Sequence, residues 1–148
     1  MEPLPTLLLC ADPVEPKRVD DAYLAEEREA KARGLRVVRV VFEDLVRGRT
    51  DDALRFIPQA EQAGAPVLYR GWMLRDRFQA ELHRGLVALG WAPLVSPRAY
   101  CQSHYLPEAY PLIQSWTAET VWTTSDDLVE AVQAAARLGS GPAIAKDH

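Results

Sequence analysis

Residues 4–13 read LPTLLLCADP, and this stretch decides the fold. Leu4 to Ala11 is almost wholly apolar, the pattern of a strand buried on both faces rather than on one, and Asp12-Pro13 closes it. Outward from this strand the chain alternates. Asp20 and Asp21 introduce a segment rich in Ala, Glu and Lys that runs to Arg33, with Gly34 where a helix C-terminus favours a residue free to take positive φ. Arg36 to Phe42 (RVVRVVF) is short and β-branched, which predicts a second strand. Thr50 to Arg55 is ambiguous, a short helix being one reading. Pro66 to Arg70 (PVLYR) predicts a third strand. Leu74 to Leu89 carries Phe78, Leu82, Leu86 and Leu89 at helical spacing and stops at Gly90. Ala92 to Val95 predicts a fourth strand, ended by Ser96-Pro97.

Alternating strands and helices imply a mostly parallel sheet with helices on its faces, because parallel neighbours need crossover connections. Beyond Pro97 the texture changes. Residues 97–117 hold three prolines, a histidine and three tyrosines without a long periodic run, so short helical turns and loop are expected. Thr120 to Thr123 is strand-like. Ser125 is a suitable N-cap for a helix over Asp126 to Leu138, with two acids in its first turn and Gly139 at its stop. Pro142 to Lys146 (PAIAK) then predicts one more strand.

Composition excludes several classes. Apolar residues make up 48% and charged residues 26% of the 148, which is ordinary globular usage and rules against disorder, collagen and coiled coil. The longest apolar runs are far shorter than the roughly 20 residues of a membrane helix, and no basic start precedes a signal-like stretch. The expectation is a cytoplasmic protein with no membrane partner. Cys10 and Cys101 form no CxxC pair and read as free thiols. A net charge of −4 offers no general attraction for nucleic acid. The charge is uneven, however. Arg70 to His104 holds five arginines against two acids, whereas Tyr105 to Asp147 holds two basic residues against six acids. The basic middle suits an anionic ligand, or is a plain solvated surface.

Motifs with a fixed chemistry are few. There is no GxGxxG after the first strand and no GxxxxGK[ST], so neither phosphate-cradling loop is present. His83 sits among charged helix neighbours. His104 and Glu108 are four apart, a spacing that could hold a metal, but Pro107 interrupts the turn and no further ligand follows at a fixed distance, so no metal is expected. No catalytic residue can be named. Arg70 stands at the C-terminal end of a predicted parallel strand, where open α/β sheets place ligands, and Gly71 lets the backbone turn away. Its guanidinium could grip a carboxylate or phosphate in bidentate fashion, or pair structurally with an acid at the strand end. Lys146, near the end of an apolar strand, would meet an anion or begin a disordered C-terminus.

The pieces Leu68-Tyr-Arg-Gly-Trp-Met-Leu74, Ser96-Pro-Arg-Ala-Tyr100, His104-Tyr-Leu-Pro-Glu108 with Tyr110-Pro111, Thr117 to Trp122 and Pro142-Ala-Ile-Ala-Lys-Asp147 stand in collinear order. Together they resemble the N-terminal part of ATP-grasp domain proteins, most closely the clade named for two arginines and a lysine. The resemblance implies a Rossmann-like pre-ATP-grasp domain over residues 1–103, its sheet covered by helices on both faces. Residues 104–148 would begin a second α/β subdomain, the first of the two that clasp ATP.

On the same resemblance Lys146 would contact the ATP phosphates, and Arg70, Gly71, His104 and Tyr105 would lie on the side of a small anionic or carboxylate substrate. ATP and magnesium are the cofactors implied for a full-length form that ligates a carboxylate to an amine. The carboxylates and asparagine that hold magnesium in such enzymes belong to the second subdomain. The chain is therefore expected to be truncated within the nucleotide site and inactive alone, with a homo-oligomer or a missing C-terminal half as its partner. The alternative from another class is a stand-alone anion-binding or protein-interaction module without catalysis.

Overall fold

The computed structural model describes residues 4–145. The chain divides between Tyr100 and Cys101 into two compact units. In the first unit the apolar stretch forms β1 (Thr6–Cys10). A 3-10 turn (Asp21–Tyr23) follows and leads into α1 (Leu24–Ala32), β2 (Val37–Val40), α2 (Phe42–Leu45), α3 (Thr50–Leu54), β3 (Ala65–Tyr69), α4 (Asp76–Ala88) and β4 (Trp91–Pro93). The four strands form one sheet in the order β2-β1-β3-β4, and every pairing is parallel. The unit is thus α/β and Rossmann-like.

Strand alternation sends successive side chains to opposite faces, and both faces find cover. Leu8, Val38, Val40 and Val67 pack under Leu45, Leu54, Phe78, Leu82 and Leu86 of the helices on one side. Leu9 packs with Val19 and Tyr23 on the other, flanked by Leu7 and Val37. The doubly buried reading therefore holds for β1 and Ala11, whereas Leu4 lies before the strand and is 65% exposed. Each such side chain contributes about 1.5–3 kcal/mol by leaving water.

Local chemistry sets the ends of the helices. Glu27 and Lys31 (2.7 Å) and Glu29 and Arg33 (2.6 Å) pair one turn apart along α1. Gly34 then takes φ +75° while Leu35 N–H donates back to Ala30 O (2.9 Å), so only a residue without Cβ closes this end cheaply. In α4 Phe78, Leu82 and Leu86 form the inward stripe. Gly85 lets α3 approach, since a Cβ there would fall 2.3 Å from Leu54 Cδ1. Between α2 and α3, Asp44 accepts from Arg49 and from Arg55 (2.6 Å), and these two guanidiniums hold its carboxyl below the usual carboxylate range.

After β4 the chain enters α5 (Pro97–His104), within which the division between units falls. The second unit continues with α6 (Leu106–Ile113) and α7 (Leu128–Arg137). Two strand expectations fail here. Thr120 to Thr123 is irregular: Thr120 N–H donates to Tyr110 O–H (3.2 Å), and Trp122 meets the Tyr110 ring edge-on at 5.9 Å. Residues 142–145 are irregular and exposed. A β-rich composition suits a pleated surface but makes a strand only beside a neighbour to pair with, and this unit has no strand among the described residues. Lys146 lies outside them. The cap of α7 is Asp127, whose Oδ1 accepts from Val129 N–H (2.6 Å), and Ser125 instead donates to Glu130 Oε2 (2.5 Å). Among the described residues no helix is long and apolar enough to cross a membrane.

Candidate functional site

From β1 the chain passes to β2 on one side and then to β3 on the other, so the strand order reverses between β1 and β3. In open α/β sheets such a switch point leaves a crevice outside the carboxyl ends of the two strands, the usual ligand position. Here those ends are Cys10 and Tyr69. Arg70 comes next, where the sequence placed it. Its N–H still donates to Leu8 O (2.9 Å), which holds the residue to the sheet edge, while its side chain is 58% exposed. One guanidinium nitrogen lies 3.1 Å from Glu26 Oε1 on α1. The acid at the strand end is therefore present. An ion pair this exposed is worth only about 0–1 kcal/mol, so a competing anion can take Arg70 from it.

Gly71 does more than turn the chain. A Cβ at this position would sit 2.6 Å from Cys10 Sγ and 2.6 Å from the Tyr69 ring and hydroxyl. The backbone thus crosses directly over the ends of β1 and β3. That crossing lets Tyr69 O–H donate to Trp72 O (2.6 Å), with Cys10 Sγ 3.6 Å from the Tyr69 hydroxyl oxygen. Trp72 in turn donates its indole N–H to Asp20 Oδ2 (3.3 Å) and meets the Tyr23 ring edge-on at 5.4 Å. Asp20 N–H donates to Cys10 O (3.0 Å), closing the network on β1. Cys10, Asp20, Tyr23, Glu26, Tyr69 and Trp72 were not assigned to a site from the sequence. Cys10 and Tyr69 become visible once the strand order is known, being the last residues of the two strands that flank the switch point.

Protonation follows from burial. Cys10 is fully buried, and burial pushes its thiol up, so at neutral pH it is not the thiolate a nucleophile requires. Burial likewise raises the Tyr69 hydroxyl, and pushes Tyr23 up to about 12. The loop after β1 is closed to phosphate: Asp12 Oδ1 accepts from Val14 and Glu15 N–H (2.8 Å each), which lowers its own carboxyl and occupies donors that a phosphate would need. The arrangement can hold an anion on Arg70 beside a largely neutral aromatic floor, and supplies no activated nucleophile.

His104 and Tyr105 belong to the second unit, Arg70 and Gly71 to the first. His104 ends α5; Tyr105 is extended and its carbonyl accepts from Glu108 and Ala109 N–H (3.0 Å each) at the start of α6. Pro107 occupies the first turn of α6, where the missing N–H costs nothing; the break in the helix falls at Tyr105. Among the described residues no three His, Cys, Asp or Glu side chains are grouped to hold a metal ion. Lys146, assigned to ATP by resemblance, lies outside the described residues. Comparison with family models, with curated proteins and with solved structures finds no match for this chain.

Proposed function

We propose that the chain is the N-terminal, pre-ATP-grasp region of an ATP-grasp ligase-like protein of the cytoplasm, and that its first unit binds a small carboxylate or other anion through Arg70. One observation carries the reading: an exposed guanidinium anchored at the carboxyl end of the sheet, at the β1/β3 switch point, whose one ion pair among the described residues is with the half-buried Glu26. The collinear YRG, SPxxY, HYLPExYP and KD pieces support the wider assignment. ATP-dependent ligation of a carboxylate to an amine is the activity of the complete enzyme on this reading, with Lys146 on the ATP phosphates.

On this reading the 148-residue chain is expected to show no ligase or ATPase turnover by itself, because Lys146 alone cannot organise the metal and phosphates of phosphoryl transfer. Titration with small mono- and dicarboxylates, followed by amide NMR, tests the anion site. Shifts confined to residues around Cys10–Asp12 and Tyr69–Trp72, lost in Arg70→Ala, are expected at about millimolar concentration, a binding energy near 4 kcal/mol. Equal shifts in Arg70→Ala would remove Arg70 from the site. Magnesium-dependent ADP formation by the purified chain, abolished by Lys146→Ala, would overturn the account of catalysis.

A further inference from the structure

At the carboxyl end of the sheet Trp72 keeps 46% of its surface in water, and Met73 beside it keeps 72%. The exposure is not that of a loose side chain. The indole N–H donates to Asp20 Oδ2 (3.3 Å), the ring meets Tyr23 edge-on at 5.4 Å, and the carbonyl of the same residue accepts from the Tyr69 hydroxyl (2.6 Å). Asp20 is itself tied to β1, its N–H donating to Cys10 O (3.0 Å). Both the ring and the backbone of Trp72 are therefore fixed to the two strands that flank the switch point. A ring held this way meets a ligand with little rotamer freedom left to lose, so its uncovered surface contributes to binding at low entropic cost.

Arg70 stands two residues before Trp72, which keeps their Cα atoms within about 7 Å of each other. Both side chains also reach one neighbour, Tyr23. Its ring touches the indole, and although burial raises its hydroxyl, the Arg70 charge acts against that rise. An exposed cation and a fixed, exposed aromatic ring thus share one surface of the first unit. The charges around them decide what else a carboxylate bound there can carry. Asp20 accepts from the indole N–H and Glu26 pairs with Arg70, so two acids occupy the same surface. A second negative charge on the ligand would meet them in like-charge repulsion. An uncharged apolar tail meets no such penalty, and laid on the indole it leaves water.

We infer that the ligand of the Arg70 site is a monocarboxylate with an aromatic or other flat apolar tail, its carboxylate on the guanidinium and its tail on the indole of Trp72. Trp72 is then the specificity-determining residue of the anion site proposed above, on which this inference rests.

NMR of the amides and indoles of the whole chain, titrated with acetate, succinate and 3-phenylpropionate, tests it. 3-Phenylpropionate should bind about tenfold more tightly than acetate, a difference of about 1.4 kcal/mol. It should also shift the Trp72 indole N–H, a signal identified by its loss in Trp72→Phe. Succinate should gain nothing over acetate. In Trp72→Ala the preference for 3-phenylpropionate should fall to about twofold or less, whereas Trp72→Phe, which keeps a ring, should hold it above about threefold. Arg70→Ala should lose acetate and 3-phenylpropionate alike. Equal affinities for these two in the wild-type chain, a preference that survives Trp72→Ala, or succinate binding more tightly than 3-phenylpropionate would overturn the inference and leave the anion site standing. Absence of binding by all three probes, or binding undiminished in Arg70→Ala, would remove the anion site and the inference with it.

Discussion

The helices α4 and α7 are similar in design and opposite in outcome. Each is amphipathic, closed by a glycine at φ +84°, Gly90 and Gly139 respectively. Yet α4 buries Phe78, Leu82 and Leu86 against the sheet, whereas α7 buries only Ala134 and leaves Leu128, Val129 and Val132 in solvent. The contrast extends to the units. Of all the buried hydrophobic side chains among the described residues, only Ala134 lies after Tyr100. Local sequence suffices to shape a helix; whether its apolar stripe stabilises anything depends on a surface that some other part of the chain must supply.

Core truncation should expose that difference most strongly. Leu82→Ala is expected to destabilise the first unit by about 2–5 kcal/mol, while Val132→Ala on α7 should change stability by no more than about 0.5 kcal/mol. Urea denaturation of both variants measures this, and equal losses would show that α7 has a partner surface in the monomer.

A smaller loss is expected where the first unit is tightest. Gly71→Ala must displace Cys10 or the Tyr69 ring, at a cost of about 1–3 kcal/mol, whereas Gly141, with nothing near it, should accept alanine with little change. Tyr100→Phe leaves both polar groups of buried Leu74 without the hydroxyl, at about 1–3 kcal/mol. Thermal unfolding distinguishes these from an unaffected fold.

pH separates the units by sign. Burial raises Cys10, Tyr69 and Tyr23 in the folded first unit. A raised group stabilises fully below its unfolded value and loses that contribution as pH climbs through the folded one. The first unit should therefore weaken progressively above pH 9.0, the ordinary thiol value. In the second unit Glu130 is lowered by Ser125 and the Thr124 amide. Its contribution is present above the ordinary 4.5 and is lost as pH falls through the lowered value, so acid should loosen the start of α7. Amide exchange resolved by residue across both limbs tests the pairing; alkaline loss confined to α7 would reverse it.

The least effect concerns Arg70. Arg70→Ala should change stability by less than about 1 kcal/mol, since it removes one exposed ion pair, yet it should abolish the carboxylate-dependent amide shifts. Glu26→Gln frees the guanidinium and should strengthen that binding a few-fold. Weaker carboxylate binding in Glu26→Gln would mean that Glu26 orients Arg70 rather than competing with it.

Much of the first unit was legible in sequence. Continuous apolar residues in β1, β-branched residues in β2, the period of α4 and the glycines at 34 and 90 are local signals, and each local choice agreed with the next. The second unit was legible only as helix. Thr120–Thr123 and Pro142–Ala145 carry strand-like composition, but pairing needs a neighbour, and a short window of sequence holds no record of one. The cap shift from Ser125 to Asp127 is similar: both side chains accept, Asp127 from Val129 and Glu130 N–H inside the helix and Ser125 only from Asp127 N–H before it, a choice that local composition does not fix.

Arg70 could be placed at a strand end from sequence because strand ends are marked by local composition. Its surroundings could not. Cys10 and Tyr69 stand 59 residues apart, and Glu26 reaches Arg70 from 44 residues away. These groups meet only because β1 pairs with β2 on one side and β3 on the other. The sequence by itself determined the elements, their ends and the charge along the chain, all of which arise from interactions within a few residues. The tertiary structure decided the strand order, the switch-point crevice, the burial that keeps Cys10 a thiol, and which apolar faces remain in water. Those depend on distances between residues far apart in the chain, and no local pattern encodes them.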